Sequence, residues 1–162
     1  MGQISDIKGE ILEALRSDPR FYNIQLVEEY SGVARELPVR NTTIAVGVES
    51  IDAKPAGLGG YLGEVESLSR TGLMATLTLR FDCYFPRSGD IAGLHAIFEA
   101  LCECLLDHFP VTRIWCDPAK ADNQALATHL CARASMTVCL EKGEKPGGVH
   151  DIIIQRRSEA IA

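Results

Sequence analysis

The order of periodicities along this chain predicts an α+β fold. Three observations carry that expectation. A helix-like apolar repeat opens the chain. A second one sits in the middle. Between and after them lie segments that alternate apolar and polar residues, clustered together instead of alternating strictly with helices. The expected architecture is a mixed, mostly antiparallel sheet with two main helices packed on one face and a projecting Gly-rich loop or arm.

In the opening segment Ile4, Ile7, Ile11, Leu12 and Leu15 recur at helical spacing, and Ser17-Asp18-Pro19 stops the helix. Residues 23–28 predict a short strand, with Ile24 and Leu26 on one face. Residues 42–50 predict another, with Ile44, Val46 and Val48 on one side. Residues 53–63 hold four glycines and a proline, and the stretch includes Gly57, Leu58, Tyr61 and Leu62. That composition predicts a flexible loop or the tip of an arm. From Leu73 to Phe85 the alternation is cleanest, a strand of roughly 35 Å or more that is central or protruding.

A helix is expected from about Gly89 to Asp107, capped by Ser88 or Asp90 and ended by Pro110. Ile91, Leu94, Phe98, Leu101 and Leu105 form its apolar stripe; Glu99, Glu103 and Asp107 form an acidic one. Residues 111–117 predict a short strand, and residues 124–141 are ambiguous, with strand favoured from about Leu130. A turn-rich loop at 142–148 leads to a last strand over 149–156 and a frayed tail at 157–162. Together these elements make one domain, residues 1–162, long enough for a single core.

Composition narrows the function. Apolar residues are 46% and charged residues 23%, the balance of a globular protein. The net charge of −6, from 16 basic against 22 acidic residues, argues against a non-specific nucleic-acid binder, which needs surplus Lys and Arg. No apolar run approaches the roughly 20 residues that span a bilayer. The first residues lack a secretory pattern, so the six cysteines are expected as buried thiols in a reducing compartment.

Reactive motifs fail on spacing. The stretch from Gly57 to Gly63 lacks the Lys-Ser/Thr of a phosphate-binding loop. His95, Glu99 and Glu103 fall at i, i+4 and i+8 and offer three metal donors, but no fourth is evident. Cys102 and Cys104 diverge by about 200° around a helix. Cys116-Asp117 and His129-x-Cys131 have no framework around them. There is no Gly-x-Ser-x-Gly elbow. The expectation is no catalytic residue, no metal and no cofactor, with a Cys-His or metal-dependent enzyme as the lesser alternative.

One stretch carries a resemblance. The strand Leu77 to Phe85 ends in Phe85-Pro86, followed by Arg87-Ser88-Gly89 and a helix holding Phe98 and paired leucines. With the opening helix and closing strands, this resembles the tail-completion, or tail-terminator, proteins of long-tailed bacteriophages and related contractile bacteriocins. The resemblance implies a subunit of a hexameric ring at the end of the tail tube. Such a ring stops tube polymerisation, contacts the sheath in contractile systems, and in a phage faces the head connector, with DNA only as passing cargo. It also implies assembly in the bacterial cytoplasm and no membrane partner. Another head–tail joining or neck subunit is the alternative within the same particle. No catalytic residue is carried over. The interaction residues expected here come from the chain itself: Gly57, Leu58, Tyr61 and Leu62 in the loop, and Glu99, Glu103 and Asp107 on the helix.

Overall fold

The computed structural model describes residues 3–29, 39–65, 68–86, 91–143 and 153–157. Its elements run α1 (Gln3–Ser17), β1 (Gln25–Glu28), β2 (Thr43–Pro55), β3 (Tyr61–Val65), β4 (Leu68–Pro86), α2 (Ile91–His108), β5 (Val111–Cys116), β6 (Lys120–Asp122), β7 (Ala127–Gly143) and β8 (Ile153–Arg157). The fold is α+β, as the periodicities predict. The caps proposed at Ser88 and Asp90, the loop beyond Gly143 and residues 158–162 lie outside the described residues.

β4 is central. It pairs with β7 in unbroken antiparallel register from Thr71↔Lys142 to Pro86↔Ala127. That ladder is about 50 Å long at ~3.4 Å per residue. The other edge of β4 is shared by β2 and β3, laid end to end. The other edge of β7 is tiled by β6, β5 and β8. β1 joins β2 in parallel; every other pairing is antiparallel.

Alternation decides which side of this sheet is covered. Ala75, Leu77, Leu79, Phe81 and Cys83 of β4 face the same way as Ala132, Ala134, Met136 and Val138 of β7, and all are buried. Ile7, Ile11, Leu12 and Leu15 of α1 and Leu94, Leu101, Cys104 and Leu105 of α2 complete that core. Both helices therefore lie on one face. Asp6 in the first turn and Arg16 in the last turn of α1 complement its dipole. After Ser17, Asp18 accepts from the Arg20 N–H at 3.0 Å and caps a single 3-10 turn, which buries Phe21.

The stretch 53–63, read as a loop, is strand at both ends. β2 continues to Pro55 and β3 begins at Tyr61, because both segments find partners on the edge of β4. Only residues 56–60 leave the ladder. The excursion is closed by Ala56 N–H to Gly72 O at 3.0 Å and Gly72 N–H to Gly60 O at 2.8 Å. Gly57, Gly59 and Gly60 all have positive φ. At Gly60, φ is +83° and a Cβ would sit 3.2 Å from the Gly72 carbonyl oxygen. Gly60→Ala is expected to cost about 1–2 kcal/mol. A melting curve should fall by roughly 2–8 °C; an unchanged midpoint would contradict this turn geometry.

Candidate interaction surfaces

The far end of the sheet outruns its helical cover. Register places Ile51, Ala53 and Pro55 of β2 on the helix side, opposite Leu77, Ala75 and Leu73. Tyr61 of β3, opposite Thr71, shares that side. Ile51 is 49% exposed, Leu73 42% and Tyr61 51%. Leu58, at the tip of the turn, is 94% exposed. Large apolar side chains gathered at one end form a ledge suited to another protein surface. Of the residues expected in the loop, Gly57 and Leu58 make the turn, while Tyr61 and half-buried Leu62 belong to β3.

The acidic stripe of α2 is only partly free. Glu99, Glu103 and Asp107 are exposed, beside Leu106 at 60%. Glu103, however, takes a hydrogen bond and ion pair from Arg20, whose other nitrogens hold Asp18. The contact staples the turn after α1 to α2. It was invisible in sequence, because 83 residues separate the partners. The ledge residues and the α2 acids thus belong to separate surfaces: α2 packs on α1 and β5.

The sheet face away from the helices carries an ion chain. Asp117 accepts from Arg133 Nη1 at 2.8 Å. Arg133 Nε donates to Glu49 at 2.9 Å. Glu49 lies 3.7 Å from Arg80 Nη1. Arg80 donates to both oxygens of Asp82, at 2.9 and 3.1 Å. His129 Nε2 donates to Asp82 Oδ1 at 2.6 Å, and its ring stacks on Tyr84 with centroids 4.7 Å apart. Glu29 lies over Gly47, so that a side chain there would collide with it.

Asp82 is the buried link, at 3% exposure. Burial acts to raise its carboxyl, but the bonds from His129 and Arg80 outweigh it and hold it below the usual carboxylate range. Asp82 in turn raises the already high basicity of Arg80, and Asp117 and Glu49 raise that of Arg133. Each charge has a counter-charge, so the chain ties β2, β4, β7 and the residue after β5 together.

Burial disfavours the thiolate at four of the six cysteines, while Cys116 is exposed. None of the six cysteines forms a disulfide. Burial pushes Cys83 up to about 12 and raises Cys102, Cys104 and Cys131 as well. His129, two residues before Cys131, turns to Asp82. Among the described residues no three His, Cys, Asp or Glu side chains stand together as metal donors, so His95, Glu99 and Glu103 do not converge. No described helix is long and apolar enough to cross a membrane. No family model and no curated protein matches the chain.

Proposed function

We propose that this chain is a structural subunit of a phage or phage-tail-like particle. It forms a hexameric ring at the end of the tail tube, stopping tube and sheath polymerisation and offering its far side to a cap or head connector. The observation that supports this reading is the ledge: a sheet that continues past its helices and ends in exposed Ile51, Leu58, Tyr61 and Leu73. Burying such side chains against a neighbour contributes about 25 cal/mol per Å² of apolar area. A head-to-tail ring uses two unlike patches per subunit. The ledge and the α2 surface with Leu106, Glu99 and Asp107 are unlike in chemistry.

Electron microscopy of the purified chain, with and without tail tubes, tests the reading. Six-fold rings are expected, capping tube ends when tubes are present. Uncapped tubes and no rings in either sample would overturn it. Ile51→Asp with Leu58→Asp should abolish rings while leaving the monomer's melting midpoint within a few degrees, since both residues are exposed.

A further inference from the structure

We propose that neighbouring copies of this chain join by strand pairing, with the free far edge of β2 in one copy meeting the outer edge of β5 in the next. The inference deepens the ring reading and rests on it. β1 covers the outer edge of β2 only over Thr43–Val46. Among the described residues nothing pairs with that edge over Ser50–Pro55. β5 is the end of the sheet order β1-β2-β4-β7-β5, so its outer edge too has no partner strand among the described residues. Each edge presents backbone N–H and C=O groups that a strand can satisfy.

The two edges match in length and in sidedness, and each carries a charge that the other can meet. β5 is 6 residues long, Val111–Cys116, and the bare edge of β2 is as long. On the helix side, β5 shows Val111 and Ile114, which pack against the core, and β2 shows Ile51 and Ala53. On the opposite side, β5 shows Arg113, held 4.6 Å over the Trp115 ring, and β2 shows Asp52 between Ser50 and Lys54. A joined sheet thus sets apolar beside apolar on the helix side and Asp52 and Arg113 on the other face with opposite signs. Prolines bound both edges, at Pro55 and at Pro110 and Pro118, and limit pairing to this length. The edges lie on opposite flanks of one sheet, so the contact is heterologous and not that of a two-fold dimer; it makes a ring where the rotation between copies closes and an open filament where it does not.

Hydrogen exchange read by mass spectrometry, on dilute and on concentrated assembled chain, tests the pairing. Amides of both 50–55 and 111–116 are expected to slow by about tenfold or more on assembly. Protection of 50–55 alone indicates a symmetric β2–β2 contact and overturns the proposal. Rings with neither edge protected overturn the pairing and leave the ring reading standing. A chain that stays monomeric at millimolar concentration also overturns the pairing, while the tube experiment still decides the ring. As a second readout, Asp52→Arg and Arg113→Asp should each weaken assembly about tenfold, and the double variant should recover it. A double variant no better than the singles contradicts the proposed contact.

Discussion

Asp82→Ala is expected to lower folding stability by about 3 kcal/mol, measured by urea denaturation at neutral pH. Asp82 is the buried carboxylate of the outer face and accepts from two strands at once. Removing it takes away the two close hydrogen bonds of Arg80, leaving Glu49 at 3.7 Å, and leaves His129 without its 2.6 Å partner. Asp117 is exposed and ends the chain, so Asp117→Ala should matter far less. Acid supplies the second half of the test. Because folding depresses the Asp82 carboxyl, its contribution is complete above the ordinary value of 3.8 and disappears as pH falls through the lower folded value. The difference between wild type and Asp82→Asn should therefore shrink as pH falls below 3.8 and through the lower folded value. A neutral-pH difference under about 0.5 kcal/mol would contradict the role given to this carboxylate.

The helices and the long strand were legible because their periods run uninterrupted. α1, the apolar stripe of α2 and the Leu73–Phe85 alternation all keep phase. β2 was read only to Ser50 because it does not. Its helix-side residues are Ile44, Val46 and Val48, then Ile51, Ala53 and Pro55, and a bulge between Val48 and Ser50 supplies the change of parity. That bulge also puts Glu49 on the outer side, within reach of Arg80 and Arg133. The feature that hid half a strand is thus the one that completes the ion chain. A similar irregularity between Val111 and Arg113 interrupts β5. β7 begins at Ala127, earlier than the Leu130 read from sequence, where Ala127–His129 face β6. The Asp82–His129 pair left a faint signal. Arg80, Asp82 and Tyr84 share the polar side of one alternating strand, and His129 and Arg133 share a side of another. Parity alone places each set on a face. Only the β4–β7 register brings them together.

Phe81→Ala should cost about 3–5 kcal/mol, a large share of the roughly 5–15 kcal/mol that holds a domain folded. Phe81 is fully buried on the central strand, with Val46 and Ala132 as its cross-strand partners. Its neighbours on that face include Ala132 and Ala134 of β7, which are too small to fill the space it leaves. The β4–β7 ladder fixes the backbone beneath, so only α1 and α2 can close in, and doing so would unseat Leu101 and Leu105. A cavity is the cheaper outcome. Leu58→Ala, at a side chain that touches almost nothing in the subunit, should change stability by less than about 0.5 kcal/mol. The two variants then separate folding from assembly. Phe81→Ala should lose rings only as far as it loses folded subunits, whereas Leu58→Asp should lose rings from a fully folded population. If both variants lost stability and rings in parallel, the ledge would be part of the subunit's own core and the case for a surface awaiting a neighbour would fail.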